Sequence, residues 1–146
     1  MFGQAVPQPE GAGGTLEAPR SILIIDDDTD MVEVLAMRFR RQGFEVETSH
    51  EGGRGLELAR EVHPHLILLD LRLPDVDGLA ICQQLTDDPS TCDIPVIIVS
   101  GMEKSDIIRQ TRCAGCQYYV RKPYDPNALL VLVERALDDA ETWDDE

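Results

Sequence analysis

Three aspartates, a serine and a lysine stand where apolar runs stop. Asp26 and Asp27 follow Ile22-Leu23-Ile24-Ile25, and Asp70 follows Leu66-Ile67-Leu68-Leu69. Ser100 follows Pro95-Val96-Ile97-Ile98-Val99, and Lys122 follows Tyr118-Tyr119-Val120-Arg121. If these runs are parallel strands, their carboxyl ends share one crevice, which is where such sheets bind ligands. Carboxylates gathered there repel one another unless a cation neutralises them. Mg²⁺ suits such oxygen donors, taking one or two carboxylates together with waters and phosphate. A carboxylate can also attack phosphorus as a nucleophile. The Lys122 ammonium and the Ser100 hydroxyl would then meet the phosphoryl oxygens over which charge spreads. The five residues suit a hard divalent cation and a phosphoryl group.

The elements that must position them are legible as alternating strand and helix patterns from Ser21 onward. The strand at 22–26 leads to a helix capped by Asp28 or Thr29 and running to about Gln42. Its inner face is Val32, Leu35, Ala36 and Phe39, at i, i+3, i+4 and i+7. Gly43 ends it, and 44–48 alternates as a half-buried strand does. The helix at about 51–62 carries Gly52, Gly53 and Gly55, each costing about 1 kcal/mol of helix preference against alanine, so it is expected to be the least stable. Strand 65–69, a loop from Leu71 to Asp77 and a helix from Gly78 to about Asp87 follow, the last with Ile81, Cys82 and Leu85 inward. Pro74, Asp77 and Gly78 read as shaping that loop. Strand 95–99, a polar helix at about 103–113, strand 117–121 and a helix from Asp125-Pro126 to about Asp139 complete the series. In that last helix Asp125 is the cap, Pro126 fits the first position, and Leu129, Leu132, Val133 and Ala136 face inward. Five strands alternating with five helices make an α/β doubly wound parallel sheet. The first and third strands are apolar throughout whereas the second alternates, which puts the second at an edge and strands one, three and four inside.

At 146 residues, 42% of them apolar, the chain suits one domain with spare length. Residues 1–20 read as a disordered N-terminal arm, 21–137 as the domain, and 138–146 as an acidic tail or linker stub. The start, MFGQAVPQPEGAGG, shows neither a basic nor an apolar region of a secretory signal, so a cytoplasmic protein is expected. The net charge of −15 would repel nucleic-acid backbones and anionic lipid, so direct binding to either is not expected. Cys82, Cys92, Cys113 and Cys116 are then expected as reduced, mostly buried packing residues. Cys113-Ala114-Gly115-Cys116 closes a helix rather than opening one, against a redox pair, and lacks a second close pair, against zinc. His63-Pro64-His65 reads as a solvated turn.

Four motifs in order, ILIIDDD at 22–28, LILLDLRLPDVDG at 66–78, PVIIVSG at 95–101 and Lys122-Pro123, make the stretch from Ser21 to about Leu137 resemble the receiver domain of bacterial two-component response regulators. The resemblance implies a flavodoxin-like sheet with strand order 2-1-3-4-5. It implies that Asp70 accepts a phosphoryl group from a sensor histidine kinase or phosphotransfer protein, with Ser100 and Lys122 assisting. It gives Mg²⁺ to Asp26, Asp27, Asp70 and the backbone carbonyl of Arg72. It makes Ser100 and Tyr119 a switch coupled to the face of the fourth helix, fifth strand and fifth helix, through which a phosphorylation-dependent homodimer could form. It suggests a cis Lys122–Pro123 bond. It also implies a phosphoacceptor signalling domain that is not an enzyme, although it catalyses its own phosphoryl transfer and dephosphorylation. Arg72 and Met102 would flank the pocket mouth and favour a long-lived phosphoryl group.

Two other readings compete. Asp26-x-Asp28 mimics the paired acids of haloacid-dehalogenase-type phosphatases, but those want Thr or Val where this chain has Asp30. A degenerate receiver acting only as a binding module would not need every acid, the hydroxyl and the lysine.

Overall fold

A computed structural model describes residues 19–101, 105–116 and 118–144. The expected arm lies almost wholly outside the described residues, as does Met102. The order is β1 (Ser21–Ile25), α1 (Thr29–Arg41), β2 (Glu45–Ser49), α2 (Gly52–Val62), β3 (Leu66–Leu69), α3 (Gly78–Asp87), β4 (Val96–Ser100), α4 (Ser105–Cys113), β5 (Tyr118–Arg121) and α5 (Pro126–Asp144). The strands form one parallel sheet, β2-β1-β3-β4-β5, which is the flavodoxin-like order. The expected fold class, five parallel strands with five helices, is the one observed.

Side-chain alternation along the central strands feeds two cores, one on each face. Ile22, Ile24, Leu66, Leu68, Ile97 and Val99 meet α1 and α5 through Val32, Phe39, Leu129 and Val133. Leu23, Ile25, Ile67, Leu69 and Ile98 meet α2 and α3 through Leu56, Ala59, Ile81 and Leu85. β2 buries Val46 and Ser49 and exposes Glu45 and Glu47, as an edge strand should. Each fully buried Ile or Leu contributes about 1.5–3 kcal/mol. That apolar centre is what can hold charged strand ends together at the rim.

Asp28, not Thr29, caps α1, accepting from the Met31 N–H at 3.2 Å. Asp125 caps α5, accepting from the Asn127 N–H at 3.0 Å. Three features depart from the sequence reading. First, the last helix continues five residues beyond Asp139, to Asp144. A contact distant in sequence reaches that extension, Arg20 Nη1 lying 3.1 Å from Glu141 Oε2, and just before it the Tyr118 hydroxyl donates to Asp139 at 2.9 Å. Second, Gly55 in α2 is there for close approach, since a Cβ would stand 2.6 Å from Ile25 Cδ1 on β1. The glycine that weakens the isolated helix lets it lie against the sheet. Third, the expectation of four reduced thiols is corrected: Cys82 and Cys116 form a disulfide. Parallel winding brings α3 against the turn before β5, so the partner of Cys116 is a residue 34 positions away rather than Cys113. Cys92 and Cys113 are free and exposed. In the His63-Pro64-His65 turn, His65 Nδ1 accepts from the Ser21 N–H at 3.0 Å, while His63 ends α2 with φ +48°.

Candidate functional site

The ends of β1, β3, β4 and β5 converge at the carboxyl edge of the sheet. Asp26 and Asp70 are both buried, 5% exposed, whereas Asp27 is exposed. Their backbones continue the sheet: the Asp26 N–H donates to Ser49 O at 3.0 Å, and the Asp70 N–H to Ile25 O at 2.9 Å. Asp26, Asp27 and Asp70 each offer a carboxylate oxygen, and these oxygens lie within 4.8 Å of one another. Lys122 reaches both buried acids, its Nζ 2.9 Å from Asp26 Oδ2 and 3.3 Å from Asp70 Oδ2. The other oxygens are held by backbone, Asp26 Oδ1 by the Asp28 N–H at 3.0 Å and Asp70 Oδ1 by the Arg72 N–H at 3.2 Å. Each buried carboxylate is therefore gripped on both sides. The Lys122 N–H donates to Ser100 O at 2.8 Å, and the Lys122–Pro123 bond is cis, as the sequence reading anticipated.

Charge in the cluster is unbalanced. Three carboxylates face one ammonium, and burial strips two of them of water. Burial pushes the Asp70 carboxyl up to about 6, with the Asp26 charge adding to the rise and the Arg72 N–H and Lys122 opposing it. Burial alone would lower Lys122, but the hydrogen bond and charge of Asp26, with those of Asp70, raise it instead. The ammonium is thus locked on while the acid is poised. Close oxygen donors with surplus negative charge fit a hard divalent cation.

Ser100 is fully buried at the end of β4. Alternation puts it on the sheet face of Ile98, and Ile98 pairs with Tyr119 of β5, so Ser100 and Tyr119 share that face. The half-buried Tyr119 packs against the α2–α3 core. The structure thus brings together Asp26, Asp27, Asp70 and Lys122, with Ser100 at the end of β4, its backbone carbonyl on the Lys122 N–H, and Tyr119 on β5. Arg72 is exposed, and its backbone bridges to Asp77 across the loop after Asp70.

Two neighbours escaped the sequence reading. The Tyr124 hydroxyl is buried without a hydrogen-bond partner among the described residues. Burial, then the charges of Asp26 and Asp28, push it up to about 12. Its signal was its position two residues after Lys122. Asp75, at the tip of the 71–77 loop, accepts from the N–H groups of Gly52 and Gly53 at 2.8 and 2.9 Å. The adjacent glycines opening α2 were the visible trace of that contact.

Known proteins similar to this chain in sequence and in fold are numerous. The family described as the response regulator receiver domain matches residues 22–134. The chain is 36% identical over 116 residues to the DNA-binding dual master transcriptional regulator RpaA of Synechocystis, an alignment covering 80% of this chain and 48% of RpaA. The chain thus spans about half the length of RpaA. It is 32% identical over 121 residues to the polar-differentiation response regulator DivK of Brucella ovis, covering 83% of this chain and 98% of DivK. Among solved structures, a CheY-like response regulator receiver domain protein from Methanospirillum hungatei superposes with a TM-score of 0.80 at 28% identity, over 85% of this chain and 98% of that one. A response regulator from Chloroflexus aurantiacus gives 0.77, also at 28% identity, over 82% and 98%.

Receiver domains as a family bind Mg²⁺ at an acidic pocket and interact with histidine kinases or phosphotransfer proteins. The match also corrects one expectation. A flat statement that the chain is not an enzyme contradicts a receiver domain's own phosphoryl-transfer and dephosphorylation chemistry, and that exclusion falls. Among the described residues no helix is long and apolar enough to cross a membrane. Strand order, the gathered acids with their lysine, and the match over 22–134 lead to one conclusion: the chain belongs to the response regulator receiver domain family.

Proposed function

We propose that this receiver domain takes a phosphoryl group onto Asp70 from a sensor histidine kinase or phosphotransfer protein, in a Mg²⁺-dependent step of two-component signal transduction. The observation that carries the reading is the double grip on the Asp70 carboxylate, with the Arg72 N–H on Oδ1 and Lys122 on Oδ2. In the transfer a carboxylate oxygen of Asp70 forms the new bond to phosphorus as the phosphorus–nitrogen bond of the donor histidine breaks. The histidine nitrogen keeps that electron pair, and the product is an acyl phosphate. Asp26, Asp27, Asp70 and the Arg72 carbonyl would hold the Mg²⁺, which supplies neutralising charge to the phosphoryl oxygens. Lys122, 2.9 Å from Asp26 and 3.3 Å from Asp70, would offer those oxygens a cation, and the Ser100 hydroxyl would offer them a hydrogen bond. With its carboxyl at about 6, Asp70 is ionised for the most part at neutral pH, the form that attacks.

Ser100 and Tyr119 then couple the phosphoryl group to the α4–β5–α5 face, biasing a two-state surface that a partner or a second copy binds. We place this unit from residue 21 to the end of α5 at Asp144, in a cytoplasmic protein with 1–20 as an arm; the stretch from 138, expected as a tail or linker stub, is helical up to Asp144. The charge of −15 disfavours direct nucleic-acid or membrane contact.

Incubation with acetyl phosphate and Mg²⁺, followed by mass spectrometry, is expected to add one phosphoryl group that Asp70→Asn loses. Unchanged labelling of the variant overturns the assignment. A label on Asp26 favours the dehalogenase-type phosphatase reading.

A further inference from the structure

α2 starts without a cap of its own. Its N-cap residue, Glu51, makes no side-chain hydrogen bond to the first turn. Two N–H groups of that turn are nevertheless satisfied, by a carboxylate from another part of the chain. Asp75 Oδ1 accepts from Gly52 at 2.8 Å and Oδ2 from Gly53 at 2.9 Å. The glycines are what admit the contact. A Cβ on Gly52 would collide with Val76 and stand 3.1 Å from Leu73 Cδ1, and one on Gly53 would stand 3.3 Å from Asp75 Oδ2. Three side chains of the 71–77 loop thus crowd the bare backbone of one helix turn. These two N–H bonds hold the Asp75 carboxyl below its ordinary range, so the brace is ionised at neutral pH.

The other end of the loop is the site. The Arg72 N–H binds Asp70 Oδ1, Arg72 bridges to Asp77, and the Gly78 N–H donates to Leu71 O at 2.9 Å. These contacts close residues 70–78 on themselves, and Asp75 fastens the closed loop to α2. We infer that Asp75 is a positioning residue: by bracing the loop on the Gly52-Gly53 turn, it holds the Arg72 backbone where its carbonyl can complete the Mg²⁺ site. The inference rests on the proposed ligand set of Asp26, Asp27, Asp70 and Arg72. Asp75 itself does not touch the metal. Partners that orient a ligand from outside the coordination shell commonly change metal affinity by about 10–100-fold when removed.

The test is Mg²⁺ titration of the whole chain, read by calorimetry and by backbone amide shifts of Arg72 and Gly78. Asp75→Ala is expected to weaken Mg²⁺ binding about tenfold and to move both amides before metal is added. Asp75→Asn keeps one acceptor oxygen and should fall between wild type and Asp75→Ala. It also decides the matter should the alanine variant fail to fold. Asp88→Ala removes a comparable carboxylate, one that accepts from the Ser90 N–H at 2.9 Å and binds Arg60. That variant should melt at lower temperature yet bind Mg²⁺ within about twofold of wild type, a difference that pure destabilisation by Asp75→Ala would not reproduce. Equal affinity of wild type, Asp75→Asn and any folded Asp75→Ala overturns the brace alone. A wild type that binds no Mg²⁺ overturns the ligand set and the brace with it.

Discussion

Two regions of this molecule are fastened by opposite means. At the carboxyl ends of the strands, Asp26, Asp70 and Lys122 tie β1, β3 and β5 together by charge, with the acids outnumbering the cation. At the amino end of β5, α3 is fastened by the Cys82–Cys116 disulfide and by Thr86 Oγ1, which donates to Ala114 O at 2.8 Å. The second region is fully satisfied and adds stability whatever is bound. The first carries surplus negative charge that a cation must balance, so its geometry costs stability until a ligand arrives. The proposed function draws on the region where the fold leaves surplus charge, and the covalent tie lies elsewhere.

The largest expected effect breaks the second fastening. The disulfide joins residues 34 apart, and the chain-entropy account gives a loop of that size about 4 kcal/mol. Reduction by a dithiol, or Cys82→Ser, should lower the urea midpoint accordingly while leaving Mg²⁺ affinity unchanged. An unaltered midpoint removes the covalent half of the comparison. A changed Mg²⁺ affinity would mean that the two regions are not independent.

The next effect has the opposite sign. The Asp70 carboxyl titrates near 6 in the fold against an ordinary 3.8. A raised carboxyl pKa means that the folded chain binds more protons between those values, so its stability falls as pH rises from about 4 to 6. Asp70→Asn cannot ionise and should be more stable than wild type at pH 7.5 by about 3 kcal/mol, an advantage that fades towards pH 4. Mg²⁺ should stabilise wild type more than the variant, since a ligand that binds only the folded form adds to its stability. A difference between the proteins that does not change with pH would refute the idea that ionisation of Asp70 is what costs the fold.

The two regions also differ in how far the sequence discloses them. Strand ends are visible because apolar runs stop abruptly at Asp26, Asp70, Ser100 and Lys122, and parallel winding sends all four to one edge. Helix faces such as Val32, Leu35, Ala36 and Phe39 follow from a period the chain prints directly, and all four are buried. Pairings between distant residues have no such period. Spacing argued against pairing Cys116 with Cys113 and left all four thiols reduced, whereas topology brings Cys116 to Cys82. The acidic stretch after Asp139 lacks a strong apolar stripe, and its helix is met by Arg20, on the other side of the sequence. Asp75 carries no signal beyond lying in the 71–77 loop, because the turn it caps begins 23 positions earlier. Local chemistry reads from the sequence, and braces between elements read only from the fold.

The smallest effect probes how the second fastening is divided. Thr86 Oγ1 lies 2.8 Å from Ala114 O and 3.0 Å from Cys82 O, so one hydroxyl serves the turn before β5 and its own helix together. The intrahelical Cys82 carbonyl has other bonding in α3, but Ala114 is buried and its carbonyl would lose its side-chain donor. Thr86→Val keeps the shape and removes that donor, which should cost about 1 kcal/mol. Thr86 also packs against Gly115, where an added Cβ would stand 2.5 Å from Thr86 Oγ1, so hydroxyl and disulfide act on the same three residues. Groups sharing a partner do not contribute additively. With the disulfide intact, Ala114 stays in place and the hydroxyl's loss is felt in full. With Cys82→Ser the turn can shift, and the same substitution should cost less. A double-mutant cycle by urea unfolding measures the difference, and strictly additive losses would show that α3 holds the turn by two separate ties.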